Sequence, residues 1–326
     1  MSTAENPIVS RPDPMNRMFY NDRGLRAGWR FLIFVLLFLG LVKIIGSLVL
    51  GPVFARSRLH NTDFSRSAAM LVFEGMQFLI IVLATWIMSR IEHRELGAYG
   101  LPRRRSAIPN FVSGYLFWGF LPLTLLLGIL RVLGAFNFGT INPLNSAMLS
   151  WCLFWGVFFL LVGLAEEFLM RGYPLFTLAD GLGFWPAAVI MALLFARAHM
   201  GNSGETRIGI IATGVFAMFA AATLWRTGDL WLAVGAHAGW DWGQSFFYGV
   251  PDSGLVVPGH LFSPTLSTTA PAWLSGGTVG PEGSVLTLVL WGVMFAGFLV
   301  IYPSRRNQLA QPDKVQPITA FRDPQS

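Results

Sequence analysis

Charged residues are scarce in this sequence. Asp, Glu, Lys and Arg together make up 12% of its 326 residues, and 54% of the residues are hydrophobic. A soluble domain carries about 25% charged residues, and the mean hydropathy of +0.56 lies well above what a soluble core requires. The composition therefore indicates an integral membrane protein.

Cysteine is nearly absent as well, since Cys152 is the only one. A single cysteine excludes an intramolecular disulfide and a cysteine cluster around a metal, so we interpret Cys152 as a small apolar residue of a helix. His-Glu-x-x-His is missing, which excludes a zinc site on one helix, and no two apolar segments both contain an aspartate. Residues 201–204 match a rhomboid-like Gly-x-Ser-Gly, with Ser203 as nucleophile and His237 as base, which is a minor alternative.

Long apolar runs are abundant. A helix needs roughly 20 apolar residues to cross the hydrocarbon core of a bilayer, and the runs are continuous, unlike the alternating strands of a membrane β-barrel. We predict an all-α polytopic bundle that occupies 29–303, with polar cytoplasmic tails at 1–28 and 304–326. The eight predicted transmembrane helices are 31–54, 68–89, 111–134, 148–170, 184–199, 208–225, 230–248 and 285–302.

The distribution of arginine predicts the orientation of this bundle. Arginines flank both termini and fill the connection 90–109, while the connection 250–283 has neither Lys nor Arg. By the positive-inside rule, both termini are expected in the cytoplasm, in a bacterial inner membrane. The net charge of +6 then needs no nucleic-acid partner. The residues on the expected cytoplasmic side are Arg11, Arg17, Arg23, Arg26, Arg30, Arg90, Arg94, Arg103, Arg104, Arg105, Arg305, Arg306, Lys314 and Arg322, against Arg56, Arg58 and Arg66 on the other.

Ionisable side chains inside the apolar segments need a partner or a function, because each costs several kcal/mol in lipid. Two of them, Lys43 and Glu74, could pair between the first two helices. The other six lie on three segments in the second half of the chain, and this concentration is the main functional signal. They are Glu166, Glu167, Arg171, His199, His237 and Asp241.

Helical spacing predicts which of these groups meet. Glu167 and Arg171 are four residues apart and can pair on one face, while Glu166 is turned about 100° away from Glu167. His237 and Asp241 also share a face. A turn at 181–183 places Glu166 and His199 at similar distances along two antiparallel arms, so the sequence predicts that they lie at the same height in the bundle.

These groups could hydrolyse a peptide bond without a covalent nucleophile. A buried carboxylate can accept a proton from water, a facing histidine can hold the same water, and a second histidine can donate to the developing oxyanion. Each pair taken separately is also compatible with a purely structural role. Glu167 with Arg171 could be an ion pair, and His237 with Asp241 could form an intrahelical hydrogen bond.

The motifs resemble those of a known family. Glu-Glu-x-x-x-Arg at 166–171, Phe-x-x-x-His at 195–199 and His-x-x-x-Asp at 237–241 look like the CPBP intramembrane proteases. That family includes the type II CAAX prenyl endopeptidases and the bacteriocin-processing and immunity proteases, also called Abi. The stretch 92–102 looks like a segment common in its bacterial members. The resemblance is strongest over about 145–250, which we expect to be the protease core.

The resemblance implies an intramembrane endopeptidase that acts on membrane-associated or lipidated peptides. By position, Glu166 and His199 would activate water, while His237 with Asp241 would stabilise the oxyanion. Glu167 and Arg171 would support the site, and Phe195 would shape the pocket. We expect this site near the cytoplasmic face, because His237 lies about seven residues from the cytoplasmic end of its helix.

Position 241 departs from the common family pattern, which has asparagine there. An aspartate donates a hydrogen bond only when protonated, so Asp241 could instead stay ionised and orient His237. The family is often described as metalloproteases, yet no spacing here enforces a zinc site, although zinc is possible. We therefore expect chemistry without a cofactor.

Two other functions compete with hydrolysis. A non-catalytic protein of the same fold could bind a peptide or provide bacteriocin immunity, but it has no reason to keep these polar groups in lipid. A proton-coupled transporter also uses intramembrane Glu and His, but the broken helices expected in matching halves of such a carrier are not evident.

Overall fold

A computed structural model describes residues 18–21, 24–267 and 269–302. The tail at 304–326 and most of the tail at 1–28 lie outside these ranges, and so do their basic residues apart from Arg26. The helices are α1 Ala27–Ile45, α2 Gly51–His60, α3 Asp63–Ile91, α4 Ala107–Ser113, α5 Leu121–Val132, α6 Ser146–Arg171, α7 Tyr173–Leu182, α8 Phe184–His199, α9 Arg207–Thr227, α10 Trp231–Trp242, α11 Ala272–Ser275 and α12 Val285–Ile301.

The predicted all-α membrane bundle is confirmed. Each of the eight predicted segments is helical over most of its length, and π-helical turns at 46–50 and 114–120 join α1 to α2 and α4 to α5. Five helical stretches are long and apolar enough to cross a membrane, and α8 and α12 are shorter apolar helices. The five stretches are Ala27–His60, Asp63–Ile91, Ala107–Val132, Ser146–Leu182 and Arg207–Thr227.

Helix α7 was not predicted from the sequence. Gly172, with φ −82° and ψ −131°, breaks the long stretch after α6, and α7 begins directly afterwards with Pro174 in its first turn. Proline suits that position because its missing N–H would be unpaired there in any case. The turn expected at 181–183 follows α7, where Gly183 has a φ of +83°.

A short strand forms within the connection that the sequence predicted to be irregular, and it pairs with a second strand after α5. Strand β3, Phe136–Ile141, runs antiparallel to β4, Phe262–Leu266. A separate short pair near the start of the chain is formed by β1 Tyr20–Asn21 and β2 Gly24–Leu25. Pairing with β4 ties the connection 133–145 to the connection 248–284. Polar N-caps begin two of the helices nearby: Asn145 accepts from the N–H of Met148 at 2.9 Å, and Thr206 from that of Gly209 at 2.9 Å. Such caps satisfy N–H groups that a helix end leaves unpaired.

The bundle has two distinct ends. We call the first the arginine end; it is formed by connections 92–106 and 228–230 and by the turn at Gly183. The N–H of Leu230 donates to the carbonyl of Gly100 at 2.7 Å, which holds two of these connections together. The opposite end, called the far end, contains connections 61–62, 133–145, 200–206 and 248–284.

Glycines let α10 approach its neighbour closely. The sequence predicted a Gly-x-x-x-Gly face at Gly235 and Gly239, and a Cβ added there would lie 2.1 Å from the carbonyl oxygen of Phe111 and 2.3 Å from that of Tyr115. The neighbour supplies matching glycines, since a Cβ on Gly114 would lie 2.2 Å from the carbonyl oxygen of Leu232. Small residues of this kind allow backbones of membrane helices to come into contact.

Replacement of Gly235 by alanine should therefore destabilise the bundle. The new methyl group meets backbone atoms, which cannot rotate away, and overpacking of this kind costs about 1–3 kcal/mol. Gly292→Ala in α12 is the matched control, because a Cβ there meets nothing within 4 Å and alanine favours a helix by about 0.5–1 kcal/mol over glycine. Thermal unfolding in detergent should rank Gly235→Ala below wild type and Gly292→Ala at or above it; equal melting temperatures would contradict the packing.

Candidate active site

A cavity of about 240 Å³ lies among α3, α6, α8, α9, α10 and α12, beneath part of the connection 248–284. Its lining combines apolar side chains with seven titratable residues, and among the described residues no lysine or arginine lines it. The titratable residues are Glu74, Glu166, His199, His237, Asp241, Asp252 and Glu282.

The structure brings together the four residues assigned to catalysis. Glu166 of α6 has its Oε2 3.7 Å from Nε2 of His237 and 4.0 Å from Nε2 of His199. Nε2 of His237 is also 3.4 Å from Oδ2 of Asp241. A single carboxylate of α6 therefore faces imidazoles from two other helices, α8 and α10.

The ring of His199 is oriented by its own helix. Its Nδ1 lies 2.9 Å from the carbonyl oxygen of Phe195, one turn earlier. A neutral ring donates to this carbonyl from Nδ1, which leaves Nε2 as an acceptor on the side of Glu166. Phe195, predicted to shape the pocket, lines the cavity, and its ring lies 4.5 Å from that of His199 between centroids, tilted by 55°.

Beneath the cavity, Glu167 joins two helices. Its carboxylate is fully buried and accepts from Nη1 of Arg171 at 3.1 Å, the i to i+4 pair expected from the sequence. The same oxygen, Oε1, lies 2.9 Å from Nδ1 of His237. The guanidinium of Arg171 sits 4.4 Å from the ring centroid of Phe195. The contact between Glu167 and His237 was missed, because spacing within one helix gives no information on a partner 70 residues away.

Amidation of this buried carboxylate should cost far more stability than amidation of an exposed one. Glu167→Gln leaves Arg171 buried without its counter-ion, and the loss of one partner of a buried pair costs about 3–5 kcal/mol. Asp63→Asn is the matched control, since Asp63 also pairs with an arginine, Arg66, but in an exposed position, where a pair contributes about 0–1 kcal/mol. Comparable losses in melting temperature for both variants would refute the structural role of Glu167.

Lys43 and Glu74 do not form the pair considered from the sequence. Glu74 lines the cavity, whereas Lys43 is exposed on α1, and no ion pair joins them within the described ranges. The sequence shows that both residues lie in apolar helices but does not show which way each helix turns its faces.

Two acidic residues of the cavity were not predicted. Asp252 and Glu282 come from the connection 248–284, and their carboxylate oxygens and that of Asp241 all lie within 4.8 Å of one another. Asp252 accepts from the hydroxyl of Ser245 at 2.9 Å, and Glu282 from the N–H of Ser253 at 2.9 Å. A signal was present, because these two are the only Asp, Glu, Lys or Arg residues between 248 and 284.

Crowding of carboxylates changes their protonation. Burial, reinforced by Asp241, raises the pKa of Asp252 well above its ordinary value. Burial, reinforced by Asp252, raises the pKa of Glu282 to about 8. Each proton is therefore held more tightly in the folded protein than in the unfolded chain, where a glutamate has a pKa of about 4.3.

Stability should consequently fall as the pH rises from about 5 to about 9. Below the pKa that these carboxyl groups have in the unfolded chain, their contribution to the free energy of unfolding is fully present. This contribution is lost as the pH rises past the raised pKa of Glu282 in the folded protein. Glu282→Gln should flatten this decline in a series of melting temperatures. The control, Glu95→Gln, changes an exposed residue of the arginine end and should keep the wild-type slope; an unchanged slope in Glu282→Gln would contradict the assignment.

The predicted catalytic set does not fit a zinc ion in this arrangement. Zinc needs three or four ligand atoms around one point. Among the residues that the structure describes, the one group whose possible ligand atoms all lie within 4.8 Å of one another is Asp241, Asp252 and Glu282, and it does not include Glu166 or an imidazole. Three carboxylates form an oxygen set of the kind that Ca²⁺ and Mg²⁺ prefer. Chemistry without a cofactor stays a prediction.

The rhomboid-like alternative gains no geometric support. Ser203 lies in the connection 200–206, where its backbone packs against Gly254. Within the described ranges it makes no hydrogen bond with His237, which is its expected base.

A comparison with protein families identifies the segment that bears the site. Residues 148–243 match the family model of the type II CAAX prenyl endopeptidase Rce1-like proteins. The resemblance seen in the three motifs is confirmed. The matched segment includes Glu166, His199, His237 and Asp241, and the match supports a CAAX-type intramembrane protease, which is a hydrolase embedded in the membrane. No curated protein and no solved structure matches the chain.

Proposed function

We propose that this protein is an intramembrane endopeptidase that hydrolyses peptide bonds of membrane-associated or lipidated substrates. The observation that carries this proposal is the carboxylate of Glu166 facing two imidazoles inside the cavity, at 3.7 and 4.0 Å. These residues lie within the segment that matches the CAAX endopeptidase family.

In the proposed mechanism, Glu166 and His199 activate the attacking water. Oε2 of Glu166 is buried and has no hydrogen-bond partner among the described residues, so its lone pairs are free to accept from water. A water about 2.8 Å from each heavy atom spans the 4.0 Å between Oε2 of Glu166 and Nε2 of His199. Glu166 takes one proton from this water as its oxygen attacks the peptide carbonyl carbon, and later passes the proton to the leaving amine.

His237 supplies the charge stabilisation. Its Nδ1–H donates to Glu167, which fixes the plane of the ring. A doubly protonated His237 also donates from Nε2 towards the cavity, where the carbonyl oxygen of the substrate gains negative charge. Preorganised donors of this kind contribute much of the rate of acyl-transfer enzymes.

Asp241 assists through His237. Its Oδ2 faces Nε2 of His237 at 3.4 Å, and an ionised aspartate cannot itself donate to an oxyanion. We therefore assign Asp241 to the orientation and charge balance of the imidazolium, in place of the donor that asparagine provides in many family members.

Glu166→Gln should abolish cleavage while the protein still folds, because the amide keeps the shape of the side chain but cannot accept a proton from water. Purified protein should be incubated with a library of lipidated and transmembrane peptides, and products identified by mass spectrometry. Glu74→Gln is the matched control: it removes a carboxylate of the same cavity that forms no ion pair with either imidazole among the described residues, so cleavage should persist.

The outcomes separate the competing functions. Cleavage that survives Glu166→Gln with an unchanged melting temperature would refute the catalytic assignment. A peptide bound equally by wild type and Glu166→Gln, with no product from either, would favour a non-catalytic binding protein. The same assay with a chelator should proceed at the wild-type rate, and its arrest would show that a metal is required.

A further inference from the structure

The cavity occupies only one half of the bundle. From His237 its lining runs towards the far end, through Trp240 and Asp241 of α10 to Ser253 and Leu255 of the connection 248–284. On α3 it includes Met70 and Glu74, near the end of the helix that starts beside 61–62. No residue of connections 92–106 or 228–230 lines it.

The other half of the bundle is filled by packed side chains. Below Glu166, towards the arginine end, lies a core cluster in which Phe168, Tyr173 and Leu230 are at most 1% exposed. Arg171 and Glu167 are buried at its boundary with the cavity. Water or a peptide that reached Glu166 from the arginine end would have to displace this core.

Positive charge is concentrated at the arginine end, whereas the cavity lies towards the far end. None of the connections at the far end, 61–62, 133–145, 200–206 and 248–284, contains Lys or Arg, whereas 92–106 contains four arginines. Some arginines do stand in helical turns beside the far end, but they are fewer than at the arginine end. The described residues near the arginine end are Arg26, Arg30, Arg90, Arg94, Arg103, Arg104, Arg105 and Arg226, and those beside the far end are Arg56, Arg58, Arg66, Arg131, Arg197 and Arg207.

From these two distributions we infer that the cavity is reached from the extracytoplasmic side of the membrane, and that its substrates are segments of exported or membrane proteins exposed on that side. Connections rich in Lys and Arg remain in the cytoplasm, which assigns the arginine end to the cytoplasm and the far end to the outside. The expectation of a site near the cytoplasmic face relied only on the position of His237 along α10; the cavity extends from His237 in the other direction.

This inference rests on the proposed function for the nature of the substrate, but not for the side of access. A cytoplasmic CAAX sequence, which arrives from the cytoplasm, meets the packed core and the arginines. A peptide bond in a stretch that follows a transmembrane helix or a lipid anchor on the outer face instead lies level with the cavity.

Cysteine labelling tests the side of access directly. The chain has one cysteine, so Cys152→Ser provides a background without any. Two exposed positions then receive single cysteines: Val256→Cys in the connection 248–284, where Val256 is 56% exposed, and Ser106→Cys in the connection 92–106, where Ser106 is exposed. Intact bacterial cells that produce each variant are treated with a membrane-impermeant maleimide, before and after permeabilisation.

We expect Val256→Cys to react in intact cells at least tenfold faster than Ser106→Cys, and Ser106→Cys to react fully only after permeabilisation. The reverse pattern, or equal rates at both positions, would overturn the inference. Both sites are exposed, so a variant that misfolds and is degraded is detected by loss of labelling after permeabilisation; the pair Leu255→Cys and Arg104→Cys then replaces them.

A third variant separates this inference from the proposed function. Ser253→Cys places the thiol in the lining of the cavity, and its modification from outside intact cells should block cleavage of an outer-face reporter peptide. If labelling follows the expected pattern but wild type cleaves nothing, the proteolytic function fails and the orientation stands. If cleavage is found but Ser106→Cys is the position labelled from outside, the function stands and the orientation fails.

Discussion

The hydrogen bonds of Glu167 hold the site and the bundle together. This carboxylate has no exposed surface, and an ion in such a place needs charged or hydrogen-bonding partners. Its Oε1 has two of them, Arg171 on its own helix and His237 on α10. The ring of His237 is thus oriented by the same contact that compensates the buried charge, and Glu166, one residue earlier, is turned into the cavity. Adjacent glutamates consequently have different roles, one structural and one facing the substrate space.

Close packing of α10 makes this contact possible. Gly235 and Gly239 lie against the backbone of the segment that begins with α4, so His237 and Asp241 project from the opposite side of α10 towards α6. Larger side chains at the glycines would move α10 as a body, and the His237 ring with it. Small residues far from the reacting atoms therefore determine a distance within the site.

Sequence patterns could predict the helices but only part of the site. The apolar runs are long enough that α8 was predicted with its observed ends, Phe184–His199, and equal arm lengths on either side of Gly183 predicted that Glu166 and His199 meet. Helical periodicity also predicted the pair of Glu167 with Arg171. It could not predict which face of α3 turns inward, so a pair of Glu74 with Lys43 was considered and the place of Glu74 in the cavity was missed. Nor could it bring Asp252 and Glu282 to Asp241, because their approach depends on how a long connection folds back over the bundle.

The ribbon of β3 and β4 has a consequence for this long connection. Pairing of Phe262–Leu266 with Phe136–Ile141 fixes the chain part-way between α10 and α12. The connection is thereby divided into two loops that are each shorter than the whole. The entropy lost on closing a loop increases with the logarithm of its length, so each of these loops costs less to close than one loop over the whole connection. The acidic side chains that this connection presents to the cavity also hold its own path, because Asp252 accepts from Ser245 and Glu282 from Ser253. The course of the chain and the negative charge above the cavity are therefore set by the same contacts.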